Sequence, residues 1–303
     1  MEFGRLPSVD GIDFTLPPDP AENAAVLARA GEAGAVDLRI GMASWSDPGL
    51  AARLGGGDAL GVLRAHASAV PAHELNSSFY GYTRERFARW AGAAPPGFLF
   101  CPKLPSSITH ERVLEGADDE MEAFVRATEA LGDRRGLTWF ALPPFVAPDH
   151  YDRLLAFLER WAPEVPLAVE MREERWFRSR AGFADLCGAL EELGVTLILT
   201  DTAGRRDCAH VRLTTRTAFV RFVANALHPS DFTRLDEWAD RLARWADGGL
   251  ERAYVFLHQR DEAETVDLAD HLERRLAERG LPVLAPWRAR TRYEPPGRQL
   301  GLF

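Results

Sequence analysis

The sequence predicts an α/β fold, a single (β/α)8 TIM barrel with a short N-terminal extension and a flexible C-terminal tail. Three observations predict it. Short, β-rich apolar runs recur eight times along the 303 residues. Amphipathic stretches with helical spacing separate them, and most end near a glycine, a common helix stop. The runs show little polar alternation, as expected of parallel strands covered on both faces. Eight strand–helix units in roughly 250 residues match such a barrel in number and length. An open doubly wound sheet is the runner-up, because alternation alone does not distinguish a closed sheet from an open one.

Residues 1–35 read as the extension: a Pro-rich stretch, LPPDP, then a short helix in AENAAVLARAG with Asp19 or Pro20 near its start. The barrel domain is expected over 36–290. Its strands are VDLRIGM, AHELN, FLFCPK, LTWFAL, PLAVEM, VTLILT, AFVRFV and AYVFLH. The intervening helices include TRERFARWAG, DEMEAFVRATEALG, PDHYDRLLAFLERWA, FADLCGALEELG, DFTRLDEWADRLARWADGG and AETVDLADHLERRLAERG, each with apolar residues at helical spacing. No internal linker interrupts the series, and residues 291–303 form the tail. LGGGD at 54–58 is a glycine-rich loop. It lacks the strand-then-GxGxxG setting of a dinucleotide fold and carries little weight as a phosphate loop.

The composition, 46% hydrophobic and 27% charged, is that of an ordinary globular chain. No apolar run reaches the roughly 18 residues of a transmembrane helix, and the N-terminus has no basic-then-apolar signal pattern, so no membrane is expected. Cys101, Cys187 and Cys208 are odd in number and far apart, which fits a reduced cytoplasm. A net charge of −9 argues against unspecific binding of nucleic acid by the whole surface, though not against a local basic groove. Lys and Arg total 36, and Lys103 is the only lysine. Arginine would serve at an ordinary surface position, whereas lysine alone can shed its proton when desolvated. Lys103 is therefore a site candidate.

Polar residues gather late in the expected strands. Trp45 follows the first; Glu74 and Asn76 close the second; Lys103 closes the third. Glu170 and Arg172 close the fifth and Asp201 the sixth; Arg221 lies in the seventh; His258 and Gln259 close the eighth. The C-terminal strand ends of a parallel barrel share one rim, where active sites sit, and residues two apart on a strand face the same way. Charges inside apolar strands must be paired. The bland alternative is a polar plug, with Glu170 paired to Arg172 or Arg221 and Glu74 to Lys103.

The stretches HELNSSFYGY, FLFCPKLPSSITHERVL, LPPF, AVEMREERWF, LILTDT and YVFLHQRDE together resemble the YecE-like proteins of domain-of-unknown-function family 72, over about residues 37–275. The resemblance implies a TIM barrel of unestablished activity. Residue by residue it points at Glu74, Asn76, Tyr80, Lys103, Thr109, His110, Glu170, Arg172 and Asp201. The chain departs from the family pattern at GMASW, at Ala141, at Glu173, at Val223 and at the pair His258–Gln259. Part of the rim is thus rewritten, which puts a shared substrate in doubt.

Carboxylates at Glu74, Glu170 and Asp201 near cations could serve as general acid and base, with His110 or His258 as proton carriers. A desolvated Lys103 could attack an aldehyde, though a plain phosphate or carboxylate contact is the preferred role. No cofactor is expected. A divalent metal at His110, His258, Glu170 and Asp201 has poor support, because the remaining histidines fall at helix, loop or misplaced strand positions.

The final QLGLF resembles the bacterial sliding-clamp-binding peptide, with Gln299 as the hydrogen-bonding residue and Leu300, Leu302 and Phe303 filling apolar pockets. A clamp partner would place the barrel at DNA, and a tether supplies local concentration that an acidic protein lacks. Arginines at 172, 175, 178, 180, 205 and 206 could give the rim a basic side, or form a salt-bridged surface. The preferred reading is a clamp-tethered hydrolase or lyase of DNA repair or nucleic-acid processing. The rivals are a small-molecule enzyme acting on a sugar phosphate or carboxylate, and a non-catalytic adaptor.

Overall fold

Strand β1 (Asp37–Met42) pairs in parallel with both β2 (Ala72–Leu75) and β8 (Arg252–His258), which places the first and last strands of the chain side by side. β3 (Leu99–Pro102) pairs with β2, β4 (Thr138–Ala141) with β5 (Leu167–Glu170), and β7 (Thr217–Val223) with β8. β6 runs in two pieces, Thr196–Leu197 against β5 and Leu199–Asp201 against β7. Between the pieces, Ile198 still donates its amide to Val169 at 2.8 Å. The last seam, β3 to β4, is closed by the parallel bridges Phe100–Arg135 and Lys103–Trp139, with Leu104 N donating to Trp139 O at 2.9 Å. The sheet therefore closes on itself, and the open alternative falls away. These residues belong to a computed structural model that describes residues 4–29, 35–55 and 57–282. The tail expected at 291–303, with Gln299, Leu300, Leu302 and Phe303, lies outside the described residues, as do the last residues assigned to the barrel domain.

The near-continuous apolar strands divide their side chains between two cores. Ala72, Leu99, Cys101, Trp139, Ala168, Ile198, Phe219, Tyr254 and Phe256 fill the barrel. The opposite parity, including Phe100, Phe140, Val169, Leu197, Val220 and Val255, packs outward against the helices. Gly41 faces the interior of β1. A Cβ there would stand 2.6 Å from both the Phe256 ring and the Ala72 carbonyl, so glycine makes room for the bulky rings opposite.

Outside the barrel lie α1 (Glu22–Leu27), α2 (Pro48–Leu54), α3 (Ala59–Ala69), α4 (Arg84–Ala93), α5 (Asp118–Thr128), α6 (Tyr151–Trp161), α7 (Arg175–Arg178), α8 (Arg180–Glu192), α9 (Pro229–Gly248) and α10 (Thr265–Ala277). Six of them overlap the helical stretches read between the strands. α2 and α3 do not, because their Ala-, Gly- and Leu-rich sequence offers little amphipathic contrast. Each is instead set by an acidic N-cap, Asp47 accepting from Leu50 N and Asp58 from Gly61 N. The LGGGD stretch links the two. None of the described helices is long and apolar enough to cross a membrane.

The N-terminal segment is docked, not free. Leu16 N donates to Glu237 at 3.0 Å, Arg241 to Pro17 O at 2.8 Å, and Asn23 bridges Val211 O and Leu213 N at 2.8 Å each. It runs along α9 and reaches the C-terminal ends of β6 and β7, where the Gly4 carbonyl accepts from Thr202 Oγ1 and residues 5–10 share a cavity with Ala224 and Asn225.

Candidate active site

The C-terminal strand ends surround a cavity of about 340 Å³ lined in part by Asn76, Tyr80, Lys103, Arg172, Arg221, His258 and Gln259. Beneath it the strand pleat turns Glu74, Glu170, Thr200 and Arg221 inward. Arg221 binds both acids: its Nε and Nη2 fork onto Glu74 at 2.9 and 3.0 Å, and its Nη1 reaches Glu170 at 2.8 Å. Glu170 also accepts from Arg172 Nε at 2.8 Å and Thr200 Oγ1 at 2.5 Å. Glu74 accepts from Asn76 Nδ2 at 2.9 Å and lies 3.2 Å from His258 Nε2. Both acids are fully buried. Burial alone would raise their pKa values; the arginines outweigh it and hold both carboxyls well below the usual carboxylate range.

Lys103 does not pair with Glu74. Among the described residues its ammonium has no carboxylate within 4.0 Å and no hydrogen-bond partner; it stands 4.3 Å from the Phe79 ring and 4.7 Å from the Trp139 ring. Arg221 lies over the same indole at 4.7 Å. Burial first, then the charges of Arg221 and Arg172, lower the Lys103 pKa to about 7. The mouth thus holds a half-protonated amine at neutral pH beside two permanently charged guanidiniums.

Two loops on this face carry backbone strain. The described non-glycine residues in the left-handed region are Val113 and Leu114 after β3, and Ala226 and Leu227 after β7. Each such residue costs about 1 kcal/mol or more and persists only where the surroundings enforce it. The second pair is pinned by buried Asp231, which accepts from Asn225 N at 2.8 Å, and by Gln259 Oε1, which accepts from Ala226 N at 3.1 Å. Gln259 Nε2 remains buried without a partner among the described residues. The ITH stretch forms a π-helical turn, Ser107–Glu111, of the kind frequent at functional sites. His110 Nδ1 meets Thr109 Oγ1 at 2.8 Å, and its ring stands edge-on to Phe79. Burial, then Lys103 and Arg172, push its pKa down to about 4, so it is an uncharged imidazole.

The profile of the family described as "Protein of unknown function DUF72" matches residues 39–292. The chain belongs to the DUF72 family. It is 27% identical over 254 residues to the UPF0759 protein YecE of Escherichia coli K12, covering 78% of this chain and 91% of that protein. Two solved DUF72 structures share the fold. One from Enterococcus faecalis has a TM-score of 0.63 at 17% identity, covering 79% of this chain and 95% of its own. One from Thermotoga maritima has 0.61 at 21%, covering 80% and 98%.

Within this DUF72 chain, two expected site residues stand elsewhere. Asp201 has the outward parity of β6 and lies under α9, bound by Arg234, Arg206 and Trp238 Nε1 at 2.9 Å. Ile198 and Thr200 are the inward positions of that strand, so Asp201 cannot face the mouth. Trp45 packs into the helix layer, 4.2 Å from the His73 ring and 5.4 Å from Trp90. The suggested metal set is likewise dispersed: Asp201 faces away and Glu170 is saturated by two arginines and a threonine. No group of three or more His, Cys, Asp or Glu side chains suited to a metal occurs among the described residues. Five of the six arginines weighed as a basic side of the rim, Arg172, Arg175, Arg178, Arg205 and Arg206, pair with Glu170, Glu173, Glu174, Asp207 and Asp201, so they do not form an open basic strip.

Sequence reasoning missed Phe79, which pads Lys103, and Thr200, which donates to Glu170. It also missed Arg5, Arg260 and Glu262, which line the mouth from outside the strands. Burial and then Asp47 raise Glu262 to about 7. Only contact across the fold reveals these three.

Proposed function

We propose that the chain is a hydrolase or lyase that takes a sugar unit bearing a phosphate or carboxylate into the mouth of the barrel. One observation carries this reading: Lys103 is held without a carboxylate partner beside Arg172 and Arg221, whose own acids are already bound. The local field is cationic in a net acidic protein, and a cavity of about 340 Å³ accommodates a sugar-sized ligand. Glu74 and Glu170, kept ionised, position the arginines and are poor proton donors at neutral pH. Lys103 and Glu262, both near 7, can exchange protons there: the uncharged amine as base or nucleophile, the protonated carboxyl as acid. Turnover of a panel of phosphorylated sugars and of damaged and intact DNA, with and without divalent metal, tests the reading. Lys103→Ala should lower turnover by at least about a hundredfold, the size of a lost acid–base group. Unchanged turnover in that variant would overturn it.

A second reading makes nucleic acid the source of the sugar and DNA repair the setting. Its support is the terminal QLGLF, residues 299–303, a match to the sliding-clamp peptide. The tether would supply DNA proximity that the paired surface arginines do not. Equal affinity for a bacterial sliding clamp with and without residues 299–303 removes this reading and leaves the first intact.

A further inference from the structure

A second cavity of about 550 Å³ adjoins the mouth and is formed by the N-terminal segment. Its lining includes Ser8 and Asp10 on one side, and Asn225 and His228 of the strained β7–α9 loop on the other. Arg5 and Arg260 line both cavities and so stand where the two meet. Neither guanidinium has a carboxylate within ion-pair distance among the described residues. Asp10, the acid among the residues lining the second cavity, is engaged by Ser8 Oγ at 2.8 Å.

The segment is fitted to this place. The Gly4 carbonyl accepts from Gly204 N at 2.6 Å and from Thr202 Oγ1 at 2.8 Å, just beyond β6. Gly4 has φ +71°, and a Cβ there would stand 2.4 Å from Thr202. A Cβ on Gly204 would stand 2.8 Å from the Gly4 carbonyl. The close backbone approach therefore requires both glycines. The next residue, Arg5, is delivered over the rim by this clasp. All of it precedes residue 39, where the family match begins. The strap is thus an addition to the barrel that changes its mouth.

We infer that the strap completes a second anion subsite, with Arg5 and Arg260 receiving a second anionic group of the same substrate whose first sits at Lys103. The inference rests on the mouth reading above and extends it to a substrate class: sugars carrying two anionic groups. Sugar bisphosphates and phosphodiester-linked nucleotides share that chemistry. A guanidinium fork binds phosphate through paired charge-assisted hydrogen bonds, so both arginines suit the task.

Calorimetry on the full chain tests it with two matched pairs: fructose 1,6-bisphosphate against fructose 6-phosphate, and 5′-phosphorylated thymidine dinucleotide against thymidine 5′-monophosphate. The two-phosphate member of at least one pair should bind at least about tenfold tighter, or ~1.4 kcal/mol; the pair that responds identifies the source. Arg5→Ala and Arg260→Ala should each bring that ratio toward one, with melting temperature little changed because neither side chain makes a hydrogen bond or ion pair among the described residues. Tight one-phosphate binding without a two-phosphate preference overturns the subsite alone. Failure of wild type to bind any of the four overturns the mouth reading and the subsite with it. A preference that survives both substitutions overturns the assignment to these arginines.

Discussion

Lys103 shows how a site is made from one side chain and its surroundings. Its ammonium lies over two aromatic rings, in the field of two guanidiniums, and no acid within ion-pair reach relieves it. The amine should therefore titrate near pH 7 and not near 10.5. Because it is the only lysine, reductive methylation with ¹³C-formaldehyde labels one side chain and the α-amine, and the lysine resonance reads the pKa directly. A midpoint of about 7 is expected, moving upward when inorganic phosphate binds; a midpoint above 9 without ligand would remove the proton-exchange role. Lys103 was legible as a candidate from composition alone, since it is the only lysine in an arginine-rich chain and lysine, unlike arginine, can shed its proton when desolvated. Its partners were not. Pairing with Glu74 looks natural in sequence, but Arg221 reaches both acids at once, and that fork depends on the register of β7 against the rest of the barrel.

The strands were readable because eight continuous apolar runs alternate with helices, but closure of the sheet was not fixed by that alternation and rests on the β3–β4 bridges. Inward and outward parity was harder where a strand breaks. β6 is split at Ile198, and VTLILTD offers no polar alternation before Asp201, so an acid at a strand end looked like a rim residue. It is instead the peg that holds α9, through Arg234, Arg206 and Trp238. Asp201→Asn should lower stability by ~3 kcal/mol, the typical effect of leaving a buried charge unpaired, while the Lys103 midpoint stays unchanged. Urea unfolding and the methyl-lysine titration together check this. Full stability with lost turnover would restore Asp201 to the chemistry. The N-terminal segment was read as a lead-in to the barrel, and its contribution of Arg5 to the mouth could not be read, because nothing in LPSVDG says which way the chain runs after Gly4.

At the scale of the whole molecule, the buried charges make stability a function of pH with two separate rising limbs. Glu74, Glu170 and Asp201 have folded pKa values below their ordinary ones, Glu170 at about 2 against 4.5. For such groups the stabilisation is complete above the unfolded pKa and is lost as pH falls through the folded one. Glu170 alone accounts for ~3 kcal/mol at about 1.4 kcal/mol per unit. Buried neutral histidines act in the same direction: His66 and His210, lowered by burial to about 3 and about 4, bind a proton more readily unfolded, so their contribution falls below pH 6.5, opposed between about 7 and 4.5 by Glu262, whose raised pKa works the other way. Lys103 gives the second limb. Its folded pKa near 7 lies below the unfolded 10.5, so the unfolded chain carries the extra proton between those values. Stability must therefore rise as pH climbs from about 7, until the buried thiols Cys101, Cys187 and Cys208, with raised pKa values, oppose it near 9. Urea midpoints from pH 3 to 9 should show both limbs. Lys103→Met, which keeps the buried stem and removes the charge, should abolish the rise between 7 and 9 and leave the acid limb in place. A wild-type profile flat from 7 to 9 would mean that the mouth is wetter, or its lysine better paired, than the ring of arginines and aromatics around it requires.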